Sequence, residues 1–141
     1  MIKKITLLSL LISINSIAQI KINDFDDAKI YFDGIFQEDS QLDDYGNTYI
    51  NMGSASSGRV YVRITDVNIH MEERKEEPGC ADICPPRTII TLKCRKSNCA
   101  RDPLSSNDAY ESSTIVFDNI KRGKKAFEYL KALKEFFRRN I

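Results

Sequence analysis

Residues 112–141, SSTIVFDNIKRGKKAFEYLKALKEFFRRNI, decide how this chain folds. A short apolar run, Thr114 to Phe117, leads through Asp118-Asn119 into a segment where Ala126, Leu130, Leu133 and Phe137 recur at i, i+4, i+7 and i+11. That spacing lines them up along one side of a helix, with Phe127, Tyr129 and Phe136 flanking the line. A helix with one apolar face must close over something. The chain ahead of it offers a sheet.

Val60, Val62 and Ile64 alternate with Arg59, Tyr61 and Arg63. After Thr65-Asp66 the alternation resumes, with Val67, Ile69 and Met71 set against Asn68, His70 and Glu72. Residues 87–94 place Ile90, Leu92 and Cys94 on one side of a further strand, and a shorter strand is expected over residues 48–52. The stretch Gly53-Ser-Ala-Ser-Ser-Gly58 reads as a turn, and residues 37–46, 72–86 and 95–111 read as loops. With the strand at 114–117, this predicts an antiparallel meander of about five strands, one face buried and one face wet.

Upstream, Phe25, Ala28, Phe32, Ile35 and Phe36 fit one helix face better than the alternation of a strand. Asn23 or Asp24 can cap this helix, and Asp26 and Asp27 lie in its first turn, where negative charge meets the positive helix end. The spacing predicts a helix over residues 24–36, with Gly34 a local weakness of about 1 kcal/mol relative to alanine. The expected fold class is therefore α+β: a front helix, the meander, and a closing amphipathic helix at the C-terminal end.

Residues 1–18 carry a targeting pattern: Lys3 and Lys4, an apolar run from Ile5 to Ile17, and small residues at Ser16 and Ala18 where a signal peptidase cuts. The run is about a dozen residues, short of the roughly twenty that span a bilayer, and Ser9, Ser13 and Asn15 break it. No cysteine follows it, so a lipid-modified N-terminus is not expected. Cleavage after Ala18 leaves residues 19–141 as a single domain, exported to the periplasm or the medium, with no transmembrane segment. Loss of Lys3 and Lys4 takes the formal charge from +1 to −1. That balance hides an asymmetry. Residues 19–58 hold eight acids and two bases, whereas residues 119–141 hold eight bases and two acids. The two ends can pair within one molecule or between molecules.

Cys80, Cys84, Cys94 and Cys99 are even in number and belong to a chain read as exported, which points to disulfides. Three connectivities exist. The strand at 87–94 advances about 3.3 Å per residue and so holds Cys84 and Cys94 at opposite ends, whereas bridged Cα atoms lie within about 7 Å. Cys80 with Cys84 and Cys94 with Cys99 is the favoured pairing, each short loop worth about 2 kcal/mol in the chain-entropy view. Nested pairing would require the loop before Arg87 to fold back along the strand. Zinc is the alternative for four cysteines. The spacings C-x3-C and C-x4-C around Pro85-Pro86 are not the tight knuckles of structural zinc sites, and a C-x-x-C redox motif is absent.

No motif carries a specific chemistry. His70, the single histidine, falls on the wet side of its strand with no partner assignable from spacing. Ser54, Ser56 and Ser57 do not fit a nucleophile elbow, and Gly58-Arg59-Val60 lacks the Lys-Ser/Thr ending of a phosphate loop. The acids of 24–27 and 41–47 lack the spaced ligands and terminal glutamate of an EF-hand, so no metal or cofactor is called for. The most suggestive surface is the basic start of the last helix, Lys121, Arg122, Lys124 and Lys125, where positive charge opposes the helix dipole. Bases opposite an apolar stripe are ordinarily the wet face of a helix. As a binding surface they would take an anion. Outside the cytoplasm that means an envelope protein or a polyanionic glycan such as lipopolysaccharide. Nucleic acid is not expected, because no aromatic platform lies among these bases.

Three segments resemble a group of small exported bacterial proteins of unknown function with a pleckstrin-homology-like fold. They are Ile64-Thr65-Asp66-Val67 between two alternating strands, Ile90-x-Leu92-x-Cys94-x4-Cys99, and Ile115-x-Phe117 followed by Ala126, Leu130, Ala132 and Leu133. The similarity spans most of residues 59–137, and Cys80 and Cys84 are additions to the pattern, in keeping with their pairing to each other. It implies a curved antiparallel sheet capped by the C-terminal helix and a binding scaffold rather than an activity. The expected function is a small exported binding module without catalytic machinery. The alternative is a small secreted hydrolase working with Asp or Glu carboxylates, which would need two of them within roughly 5 to 10 Å.

Overall fold

The computed structural model describes residues 20–36, 39–52, 59–101 and 109–140. The targeting segment read at 1–18 and the turn read at 53–58 lie outside them. The described elements are α+β: two helices and antiparallel strands, in the order α1 (Phe25–Ile35), β1 (Gln41–Leu42), β2 (Asn47–Asn51), β3 (Arg59–Arg63), a 3-10 turn (Ile64–Asp66), β4 (Val67–Arg74), β5 (Glu77–Pro78), β6 (Ile83–Cys84), β7 (Arg87–Cys94), β8 (Ala100–Arg101), β9 (Ala109–Tyr110), β10 (Ser112–Phe117) and α2 (Ile120–Asn140).

α1 begins where Asp24 Oδ1 accepts the Asp27 N–H at 2.8 Å, satisfying one of the orphan donors of the first turn. It buries Ala28, Phe32 and Ile35. α2 begins at Asn119, whose Oδ1 accepts the Arg122 N–H at 3.0 Å. Its apolar line, Ala126, Leu130, Leu133 and Phe137, is buried together with Tyr129 and Phe136. Phe127 is only half-buried and lies under the Lys131 ammonium, 4.8 Å from the ring centroid. α2 packs on β4, β7, β10 and the 3-10 turn, and α1 lies against it. The two helices are tied by the Tyr129 hydroxyl, which donates to the Ala28 carbonyl at 2.7 Å, and by the Phe32, Phe36 and Tyr129 rings.

The strands do not form one meander. β3 and β4, which a meander would pair, belong to different sheets: β1-β2-β3-β8-β9 and β10-β7-β4. The 3-10 turn is the reason. The Ile64 N–H donates to the Gly46 carbonyl at 2.8 Å, and the Asp66 carbonyl accepts the Arg95 N–H at 2.9 Å, so its backbone bonds reach the ends of both sheets. A hairpin there would lose those bonds. The stretches read as loops also hold short strands: β1, the β5–β6 pair, and the β8–β9 pair. Two-residue ladders carry too little alternation to register as periodicity.

The β1–β2 connection is held by Asp43. Its Oδ1 accepts the N–H groups of Tyr45 and Asn47, each at 2.9 Å, and its Oδ2 accepts the Asn47 amide at 2.8 Å. Partial desolvation pushes this carboxyl upward, but the hydrogen bonds from Asn47 and Tyr45 and the Arg63 charge outweigh it and hold the pKa below the usual aspartate range. A depressed carboxyl stabilises the fold above its unfolded pKa of about 3.9 and stops doing so as pH falls through the lower folded value. Asp43→Ala should therefore cost about 1 kcal/mol at neutral pH, a figure already reduced for solvent exposure. Urea melts of the two proteins should converge as pH drops from about 4 toward 2. A gap that stays constant over that range would refute the assignment.

Candidate functional site

The bases at the start of α2 are not equivalent in the structure. Arg122 directs its Nη2 to the Ile35 carbonyl at 3.4 Å, placing a cation at the C-terminal end of α1, whose own last turn holds no base. Lys124 pairs with Glu73 of β4 at 3.1 Å across exposed side chains. Lys121 and Lys125 are exposed and make no ion pair among the described residues. The acidic front and basic tail likewise form no ion pair with each other among those residues. Tail bases pair along α2 instead, Lys131 with Glu128 and Arg138 and Arg139 with Glu135.

A second basic cluster surrounds Phe137, where Thr65, Arg95, Lys134 and Arg138 line a recess of about 220 Å³. Burial, followed by the Arg95 and Arg138 charges, pulls the Lys134 pKa below the ordinary lysine range against the opposing pull of Glu135. The cluster is partly satisfied from within: Lys134 Nζ donates to Asn68 Oδ1 at 3.5 Å, and Arg138 makes two hydrogen bonds to Glu135.

A third lies where the two sheets meet. Edge strand β10 runs beside β3 and β8, and between them Arg59, Arg101, Tyr110, Ser112, Ser113 and Thr114 line a cleft of about 290 Å³. In the register of the first sheet Tyr49, Tyr61 and Arg101 lie side by side, so Tyr61 and both arginines share its outer face. Tyr61 is 43% exposed and Tyr110 45%. Neither Arg59 nor Arg101 has an ion-pair partner among the described residues.

Carboxylates are placed differently. Asp24 caps α1, Asp27 accepts from the Asn23 backbone and side chain, and Asp43 holds its turn. Glu128 and Glu135 line an open groove of about 820 Å³ between residues 20–23 and α2, each in an ion pair. The hydrogen bond from Arg138 holds the Glu135 pKa below the usual range. That is the opposite of what a general acid needs. Glu77 is likewise pulled down, first by its hydrogen bond from Arg87. His70 is exposed and sits opposite Thr91. Among the described residues no group of three or more His, Cys, Asp or Glu side chains is disposed to hold a metal ion. Ser54, Ser56 and Ser57 fall outside those residues.

Cys80 is bonded to Cys84, stapling the β5–β6 pair, and Cys94 is bonded to Cys99 at the end of β7. No described helix is long and apolar enough to cross a membrane.

Sequence reasoning passed over the cleft at β10. The alternation of Arg59, Tyr61 and Arg63 was visible, but Arg101 and Tyr110 sit in a stretch with no period; only pairing across some forty residues brings Arg101 beside β3, with Tyr110 on the strand beyond it. Neither a protein-family model, nor a curated relative, nor a solved structure matches this chain.

Proposed function

We propose that this protein is an exported, non-enzymatic binding module on a pleckstrin-homology-like scaffold, and that its partner is polyanionic, an envelope glycan before an envelope protein. The scaffold reading is supported by two successive antiparallel runs, β1-β2-β3 and then β4, β7 and β10, followed by one closing helix. Two disulfides in a small domain favour an oxidising compartment, as does the leader-like start of the sequence.

The observation that carries the proposal is a set of exposed bases left without ion pairs at two places, the start of α2 and the cleft at β10. Lys121, Lys125, Arg59 and Arg101 have no ion-pair partner among the described residues. Unneutralised bases draw polyanions over distances set by the Debye length, about 8 Å at physiological salt.

The test is retention on immobilised heparin and lipopolysaccharide. The oxidised mature chain should bind and elute with rising salt. A triple variant with Lys121→Glu, Lys124→Glu and Lys125→Glu should elute at clearly lower salt. Equal retention of the variant would remove the helix surface from the reading, and failure of the wild type to bind either resin would remove the polyanionic partner.

A further inference from the structure

We infer that the cleft between β10 and the β3–β8 pair recognises one uronate unit of an acidic glycan: Arg59 and Arg101 take the carboxylate, and the hydroxyl-bearing side chains that complete the lining meet the sugar ring. The inference rests on the polyanion reading above and adds to it the place and the chemical unit of recognition.

Geometry comes first. Arg101 stands directly opposite Tyr61 in the ladder, and Arg59 is two residues along β3 on the same face. Diagonal neighbours of this kind have Cα atoms about 7–8 Å apart, within easy reach for two long side chains to converge on one anion. Both line the same cleft. Energetics comes second. Like charges side by side on a sheet oppose folding, and a structural arginine would be expected to find an acid or a carbonyl, as Arg87 does with Glu77 and Arg122 with Ile35. These two find neither among the described residues. A carboxylate between them would relieve the repulsion and accept paired N–H bonds from a guanidinium fork.

The rest of the lining selects the body of the ligand. Tyr110 is 45% exposed at the cleft and carries a hydroxyl on a flat, apolar ring. Ser112, Ser113 and Thr114 add hydroxyls that can both donate and accept, which suits sugar hydroxyl groups. The volume of about 290 Å³ is at the small end of ligand sites and fits one ring rather than a long segment. The lysines of α2 are flexible point charges and would contribute attraction. The arginine pair would contribute orientation.

The experiment titrates an oligogalacturonate hexamer into the oxidised mature chain by calorimetry and by ¹⁵N amide shifts, with neutral dextran, polyglutamate and single-stranded DNA as comparison probes. The hexamer should bind, dextran should not, and shifts should centre on residues 59–61, 101 and 110–114. Arg59→Gln and Arg101→Gln should each weaken binding by about tenfold or more, the loss typical of a charged hydrogen bond. Arg101→Lys, which keeps the charge but loses the fork, should also weaken it. Thermal melts establish that each variant is folded, and the wild-type shift map stands without any variant.

Shifts confined to α2, or full affinity in both Arg→Gln variants, would overturn the cleft while leaving the polyanion reading intact. Tighter binding of polyglutamate or DNA would overturn the sugar assignment. No binding of any polyanion would overturn both.

Discussion

Phe32→Ala is expected to lower the stability of the folded domain by about 3–5 kcal/mol, because it empties the joint between the two helices. Phe32 is fully buried, its ring 4.8 Å from Phe36 and 6.4 Å from Tyr129. Nothing nearby can collapse into the space cheaply. The Tyr129 hydroxyl is committed to the Ala28 carbonyl, and burial, with the Asp33 charge after it, raises the phenol pKa further so that it stays a donor. A loss of that size is a third or more of the 5–15 kcal/mol that holds an ordinary domain together. Urea denaturation should show the midpoint falling with an unchanged slope. Ile30→Ala serves as the control, since Ile30 is on the same helix and 70% exposed, and should change stability by less than about 0.5 kcal/mol. If Phe32→Ala behaves like Ile30→Ala, α1 does not pack on α2 in solution.

Gly123→Ala should cost about 3 kcal/mol, against local preference. In an isolated helix alanine is better than glycine by about 1 kcal/mol, so propensity alone predicts a gain. Here a Cβ on Gly123 would lie 2.3 Å from Thr88 Cβ and 2.5 Å from its Oγ1. Thr88 Cβ is anchored to the β7 backbone and cannot rotate aside, so the first turn of α2 would have to lift off the sheet. Lifting it disturbs Ala126 and the apolar line behind it, along with the Thr88 hydroxyl, which donates to the Ile120 carbonyl at 3.4 Å. Gly34→Ala is the matched comparison: a Cβ there meets nothing within 4 Å, and the same substitution in α1 should stabilise by up to about 1 kcal/mol. Opposite signs for one chemical change would locate the closest approach of helix and sheet. A stabilising Gly123→Ala would mean that α2 does not seat on β7 as described.

Periodicity placed the long elements and little else. The i, i+4, i+7 line marked the buried face of α2, alternation marked β3, β4 and β7, and Asp24, Asp26 and Asp27 around Phe25 marked the start of α1, because each signal is carried by residues within one or two turns of one another. The favoured cysteine pairing was legible for the same local reason: a strand too long to bridge separates the two pairs. Other features depended on contacts that the spacing of residues does not encode. Whether Arg59–Arg63 pairs with the strand that follows it was settled by the backbone bonds of Ile64 and Asp66 to Gly46 and Arg95.

Partner choice among charges was settled in the same way. Arg122 reads as one of four equivalent bases until α1, 87 residues earlier in sequence, brings the Ile35 carbonyl to it. Arg101 reads as loop until β3 pairs with it. The amino-acid order by itself determined which residues turn toward a core and which cysteines lie close enough to join. Only the assembled chain decided which charges are neutralised and which stay open, because neutralisation is a property of distance in space, and distant segments acquire a distance only once the sheets and helices have packed.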